Sequence, residues 1–335
     1  MKRICFVFKD RNMLTKEQIL TLTCLKEVGV KGIGPKKIFS IGAAIDYYGQ
    51  EIKSYENLAR LMSTMKEKVI QKVTLLKLKE AYQVAREIIN ISNQVGIGFV
   101  GYYDKEFPDV LRKTVNEDGK LEPPLLLWYR GDFSITQLPG FAVIGTRKAT
   151  PEGIVGGTYL SEEFAKRGFN IVSGLAIGCD TCGHKGALNV GGKTIAILAN
   201  GLDRNSIYPP ENQDLAEDIV RNGGLLISEY RIGTTVNRYN LVARDRLQAG
   251  LSLATLVIQT GEHGGSFHAA TATLQAGKPL YTIYFKDENV RLNEKCLGND
   301  FLVKQGAKYI KGDDNLNEIS DYIKNRKPIK SDLFG

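Results

Sequence analysis

The sequence predicts an α/β chain in which a doubly wound, mainly parallel sheet follows a small all-helical domain. Three observations carry this. From Phe141 onward, short apolar runs without clean alternation take turns with helical stretches, as parallel strands buried on both faces do. Two of these runs break into glycine-containing turns that open helices. Residues 15–90, by contrast, hold apolar residues at helical spacing with Lys and Glu between them.

The chain begins MKRICFVFKDRN, whose apolar run from Ile4 to Phe8 is too short for a signal core or a membrane span. A cytoplasmic protein is therefore expected. Helices are expected over Thr15 to Lys26, Pro35 to Tyr48, Tyr55 to Thr64 and Glu67 to Asn90, forming a domain over residues 1–90. Between the first two lies Gly32-Ile33-Gly34-Pro35-Lys36-Lys37, which resembles the helix-hairpin-helix motif. In that motif the glycines let backbone N–H groups approach a DNA phosphate and the lysines add charge, making Gly32, Gly34, Lys36 and Lys37 a candidate secondary DNA contact. A plain inter-helix turn with proline at the first helical position accounts for the same residues. Residues 1–90 carry 17 Lys plus Arg against 9 Asp plus Glu, whereas residues 91–335 carry 28 of each. The whole excess of +8 thus sits at one end, as expected either of a surface that faces an acidic polymer or of a solvated lysine-rich one.

Residues 91–140 read as a Gly- and Pro-containing connector with a strand-like Leu125 to Tyr129, which Pro123-Pro124 confines to a sheet edge or an extension of the next domain's sheet. The Rossmann-like domain is expected over residues 141–323, with strands at Phe141 to Ile144, Phe169 to Val172, Thr194 to Ala199, Leu225 to Ser228, Thr255 to Gln259, Leu280 to Tyr284 and Lys308 to Ile310. Residues 324–335 read as a frayed tail, with no winged helix.

In such a fold ligands bind at the carboxyl ends of the strands, where the glycine turns fall. Gly145-Thr146-Arg147-Lys148 follows the first strand, and Ser173-Gly174 follows the second and leads into a helix bearing Lys185. Unpaired N–H groups at helix starts attract phosphate, and Arg147 and Lys148 add fixed charge, so the two turns favour an anion site. Gly264-Gly265-Ser266 opens a further helix after Gln259. Arg244-Asp245-Arg246 starts a helix or lies early in one, with Asp245 able to pair with either arginine.

Several chemistries are disfavoured. Ala187-x4-Gly192-Lys193-Thr194 nearly matches a P-loop, but a helix precedes it and a strand follows, the reverse of what phosphate cradling requires. No GxGxxG follows the first strand, and neither Ser173 nor Ser266 lies in GxSxG. His184, His263 and His268 could serve as bases, yet for His184 phosphate donation or helix packing is favoured. Cys179-x-x-Cys182 with His184 lacks a fourth zinc ligand, and five cysteines without framework spacing suggest reduced thiols. No metal, cofactor or catalytic residue is expected.

Taken together, several segments resemble the DNA-processing protein A (Smf) family: Ile144 to Thr150; Ser173 to Asp180 with His184 to Leu188; Gly192 to Leu198 with Gly201 to Asp203 and Tyr208-Pro209; Ile227 to Glu229; Arg244 to Arg246 with Ala249 to Ser252; and Gly265-Ser266 through Gly277-Lys278. Their order and spacing match over about residues 15–323. The resemblance implies a SAM-like or helix-hairpin-helix-like domain before a Rossmann-like one, a homodimer, no catalysis, and a recombination mediator that protects single-stranded DNA and loads a RecA-type recombinase during natural transformation or recombination. It assigns phosphate gripping to Gly145, Thr146, Arg147 and Lys148, with Ser173, Gly174 and Lys185 beside them, Arg244 and Arg246 extending the rim, and Gly265 and Ser266 on the same edge.

The chain departs from that pattern. Asp245 stands where the family usually has Asn, and Gln259 where it has Glu. The rival reading is a Rossmann-like nucleotide-binding or nucleotide-processing protein similar to the phosphoribohydrolases, with a role in phage defence. Their pattern would continue from Gly264 to a catalytic Glu at the position held by Thr271, which leaves no evident acid for hydrolysis.

Overall fold

Thr15 opens the first helix with a reciprocal cap: its hydroxyl accepts from the N–H of Gln18, and the Gln18 side chain accepts from the N–H of Thr15. The computed structural model describes residues 13–49, 51–262 and 264–326, so the expectations for the first twelve residues, for His263 and for the tail beyond Arg326 lie outside them. The chain divides after Phe107 into two units, Met1–Phe107 and Pro108–Gly335.

The first unit contains α1 (Lys16–Thr23), a 3₁₀ turn (Cys24–Lys26), α2 (Pro35–Tyr48), α3 (Tyr55–Thr64), α4 (Lys68–Gln71), α5 (Leu75–Gln94) and a short strand, β1 (Gly98–Gly101). Leu22, Leu25, Ile38, Ile41, Leu58, Met62 and Leu78 are buried within it. The single helix expected over Glu67 to Asn90 is broken, because Thr74 is extended and its hydroxyl caps α5 by accepting from the N–H of Lys77. α5 then continues to Gln94 and leads into β1.

The second unit runs α6 (Asp109–Arg112), β2 (Leu126–Gly131), β3 (Gly140–Ile144), α7 (Pro151–Lys166), β4 (Asn170–Ser173), α8 (Cys179–Asn189), β5 (Thr194–Leu198), α9 (Gln213–Arg221), β6 (Leu225–Ser228), α10 (Arg238–Leu251), β7 (Ser252–Val257), α11 (Ser266–Gln275), β8 (Leu280–Ile283), α12 (Glu288–Arg291), α13 (Leu297–Lys304), β9 (Lys308–Ile310) and α14 (Leu316–Asn325). Within this unit the strand order is β2-β6-β5-β4-β3-β7-β8-β9. All neighbours pair in parallel except β2, which adds antiparallel to β6 with Trp128 opposite Ser228. The Leu125 to Tyr129 stretch therefore extends the sheet.

Strands β3 to β6 are buried along their whole length, as parallel strands covered by helices must be. On one face Phe141 stacks on Phe164 of α7 at 3.9 Å between ring centroids, and Phe169 closes the cluster. The chain leaves β3 toward β4 and returns across it to β7, so the switch in winding direction lies between β3 and β7. A crevice at their carboxyl ends follows.

Candidate functional site

The turn after β3 is held on three sides. Thr146 donates its N–H to the carbonyl of Gln259 at 2.8 Å, and its own carbonyl accepts from the N–H of Cys179 at 3.1 Å. Gly178, at φ +81°, lets the start of α8 lie against this turn: a Cβ there would meet the carbonyl oxygens of Thr146 and Arg147 at 2.5 and 2.7 Å. The Gln259 side chain, fully buried, fixes the far end. Its amide oxygen accepts from the N–H of Thr150, and its amide nitrogen donates to the Thr150 hydroxyl, both at 2.9 Å, and to Cys296 Sγ. Thr150 in turn caps α7. Arg147 and Lys148 are thereby presented as exposed side chains on a fixed backbone. Since the N–H groups of Thr146 and Lys148 are taken up by Gln259 and by the Thr146 hydroxyl, what this turn offers an anion is chiefly the two cationic side chains.

The turn after β4 is an anion nest that the chain fills itself. Asp180, near the start of α8, accepts from the N–H of Gly174 at 3.1 Å and of Ala176 at 3.3 Å. Ser173 is fully buried and donates to the carbonyl of Val143. Arg244 lies in the interior of α10, 6% exposed, and its guanidinium donates to the carbonyls of Gly174 and Ile197 and to Asp245 at 3.0 Å. Burial raises the Asp180 carboxyl to about 6 against the pull of Arg244. Asp245 is also raised, by burial that outweighs the attraction of Arg244, His268 and Arg147.

Beside these groups lies a pocket of about 160 Å³ lined by Arg147, Gly174, Ala176, Ile177, Tyr208, Pro209, Pro210, Glu211, Leu241 and Arg244. It is where the structure brings predicted residues together: Arg147 from the turn after β3, Gly174 from the turn after β4 and Arg244 from α10. Tyr208 and Ile177, both about two-fifths exposed, offer it an aromatic and an apolar surface. On sequence alone Ile177, Tyr208, Glu211 and Leu241 have no role in a site; Ile177 and Tyr208 stand out there only as parts of the resembling segments Ser173 to Asp180 and Tyr208-Pro209.

Other expected rim residues lie elsewhere. Arg246 is 7% exposed and forms a bidentate pair with Glu229 at 2.7 and 2.8 Å, with further bonds to the carbonyls of Glu122 and Ala243. It is a structural ion pair, not a rim cation. Arg244 and Arg246 sit in the body of α10 because that helix begins at Arg238, earlier than expected. Ser173 and Gly174 are both buried, and the Gly174 N–H is committed to Asp180. Lys185 is exposed six residues into α8, about 9 Å along the helix from its start. Gly265 is exposed at the start of α11, but the Ser266 hydroxyl turns inward to Thr260 at 2.8 Å. His184 is fully buried, which excludes phosphate contact. Since Thr194 spends its hydroxyl proton on the carbonyl of Ile171, His184 Nδ1 must donate to Thr194 Oγ1, leaving Nε2 bare and unpartnered. Burial, aided by the charge of Arg244, depresses this imidazole to about 3. Cys179 and Cys182 are buried free thiols, and among the described residues no group of His, Cys, Asp or Glu could hold a metal ion. Nor is any described helix long and apolar enough to cross a membrane.

In the first unit, Gly34 precedes α2 in extended conformation with Pro35 at the first helical position. Gly32 takes φ +89° with its Cα facing Val69. Lys36 is exposed, and Lys37 lies 3.7 Å from Glu67.

A family model described as DNA recombination-mediator protein A matches residues 98–321. Among curated relatives, the chain is 37% identical over 198 residues to protein Smf of Synechocystis, covering 58% of this chain and 48% of that protein. It is 33% identical over 203 residues to DNA processing protein DprA of Streptococcus pneumoniae, covering 59% and 68% respectively. The chain thus spans about half the length of the Smf proteins it matches. The crystal structure of the S. pneumoniae protein superposes with a TM-score of 0.69 at 26% identity, covering 90% of this chain and 97% of that one. DNA processing protein A of Helicobacter pylori, whose structure addresses its single-stranded DNA binding mode, gives a TM-score of 0.56 at 30% identity over 68% of this chain and 95% of that one.

Proposed function

The chain belongs to the DNA recombination-mediator protein A family, and from that premise we propose that it grips single-stranded DNA at the Arg147–Lys148 turn and delivers it to a RecA-type recombinase. The observation that carries the reading is the exposure of Arg147 and Lys148 on a backbone clamped by Gln259 and Cys179, beside a pocket bearing Tyr208. Cations on a rigid turn neutralise phosphates, and an aromatic wall beside them accepts an unstacked base, the two features that single-strand binding needs. The single-stranded DNA binding of the H. pylori relative supports the same assignment. Gly145 and Thr146 shape the turn, Lys185 and Gly265 extend the contact along the edge, and Gly32, Gly34, Lys36 and Lys37 make a secondary contact in the first unit. The protein acts without catalysis, as a homodimer in the cytoplasm, during transformation or recombination.

The test is fluorescence anisotropy of a labelled single-stranded oligonucleotide at several salt concentrations, with mononucleotides as competitors. The reading expects salt-dependent binding that mononucleotides do not displace. Loss of the signal to a micromolar mononucleotide would transfer the site to the nucleotide-binding reading.

A further inference from the structure

Two separate stretches of the first unit meet, and of the charged side chains they carry all but one are lysines. The turn before α2 brings Lys31, Lys36 and Lys37; the segment around α4 brings Lys66, Lys68 and Lys72. Their packing is fixed at two points. A Cβ on Gly32 would stand 3.1 Å from Val69 Cγ2, and Lys37 Nζ lies 3.7 Å from Glu67. Lys31, Lys36, Lys66, Lys68 and Lys72 are all exposed, and among the described residues none of them forms an ion pair. Glu67 is the sole carboxylate in residues 28–38 and 64–72. Holding like charges together on one small surface is unfavourable unless an anion meets it.

The surface also lacks what other acidic partners would use. The exposed large apolar side chains of this unit, Tyr47, Tyr48, Leu76, Ile91 and Val95, all fall outside the two stretches. Tyr47 and Tyr48 lie at the far end of α2, about 20 Å from its first residue. The surface therefore has no aromatic platform for unstacked bases and no apolar wedge for a lipid interface. It fits a ligand that presents closely spaced phosphates with its bases stacked out of reach.

We propose that Lys31, Lys36, Lys66, Lys68 and Lys72 form a docking surface for the phosphate backbone of duplex DNA, separate from the single-strand turn of the second unit. This rests on reading the 31–37 turn as a phosphate contact, and extends it to a second stretch and to a different form of DNA. A protein with both surfaces binds a duplex carrying a single-stranded tail more tightly than either part alone.

The test compares the full chain with a variant in which all five lysines are changed to Gln, using labelled blunt duplex, a labelled oligo-dT strand and a tailed duplex. Circular dichroism and thermal melting check folding, and a Lys→Arg set at the same positions keeps the charge. The expected result is at least a ~20-fold loss of duplex affinity at about 100 mM salt, with a salt slope shallower by about 3 to 5. Binding of oligo-dT stays within about threefold, the tailed duplex loses its advantage, and the Arg set behaves as wild type. Should the fivefold variant not fold, the triple change of Lys66, Lys68 and Lys72 to Gln carries the test with a proportionately smaller loss. Duplex affinity unchanged in a folded variant, a parallel loss of oligo-dT binding, absence of duplex binding by wild type at low salt, or equal competition by phosphatidylglycerol vesicles would each overturn the proposal. Failure of the single-strand turn is distinguishable, because it appears as an Arg147→Ala variant that still binds oligo-dT.

Discussion

The carboxylate of Asp180 accepts from the N–H of Gly174 at 3.1 Å, seated where a ligand phosphate would sit if the turn after β4 were an open anion site. Behind it, Arg244 bonds the Gly174 carbonyl at 2.8 Å. One buried acid and one buried basic side chain thus hold the second glycine turn in shape, while the first keeps Arg147 and Lys148 exposed. The division of labour is electrostatic: an acid inside the nest cancels the positive end of α8 and the charge of Arg244, while the exposed turn keeps its two cations.

Asp180 and His184 predict opposing pH dependences. Burial raises Asp180 to about 6, above the ordinary carboxylate range, so the folded state holds its proton longer than the unfolded one. Asp180 therefore contributes stability at low pH that is lost as pH rises from about 4 to about 6, worth about 3 kcal/mol by linkage. His184, depressed to about 3, does the reverse: the unfolded imidazole takes up a proton that the folded one refuses, so stability falls as pH drops below about 6.5. The two effects offset each other between about pH 4 and 6 in the wild type. Thermal melting across that window should show Asp180→Asn gaining stability with rising pH and His184→Asn losing it. Parallel curves for the two variants would show that the groups are not held as described.

Asp245 should weaken the ligand site. It lies 3.0 Å from Arg244 and within electrostatic reach of Arg147, so that when ionised it sets a negative charge beside the proposed phosphate contact. Asp245→Asn should raise single-strand affinity at neutral pH by about 2- to 10-fold, the scale of one partly buried charge. Anisotropy titration of the variant reads this directly, and unchanged affinity would place the strand away from Asp245.

Arg246 should matter for folding rather than for DNA. Replacing it with Met leaves the half-buried Glu229 carboxylate without its bidentate partner, at a cost of about 3 kcal/mol. Chemical denaturation measures that loss. Because Arg246 does not line the pocket beside Arg147, the variant that remains folded should bind single-stranded DNA within about twofold of wild type.

The sheet was legible because periodicity reports burial on both faces: the runs at Phe141, Asn170, Thr194, Leu225 and Leu280 all became parallel strands. The helix break at Thr74 was not, since capping competes with an otherwise continuous apolar stripe. In the site, the sequence could locate Arg147 and Lys148 but not the fate of Ser173, Arg244 and Arg246. Whether a polar side chain near a glycine turn faces solvent or fills the turn depends on what the neighbouring helix brings to it. Here Asp180 and the long α10 turn those residues inward. Gln259 illustrates the same limit, since its bonds to Thr150 span 109 residues and leave no local trace.

The most direct measurement is single-strand affinity of the Arg147→Ala, Lys148→Ala double variant against wild type, at matched salt and with folding checked by circular dichroism. Both side chains are exposed on a backbone held by other groups, so the fold should be unaffected. The account predicts a loss of about 1 to 3 kcal/mol and a shallower salt dependence. Full affinity in the folded double variant would contradict it and move the single-strand site off this turn.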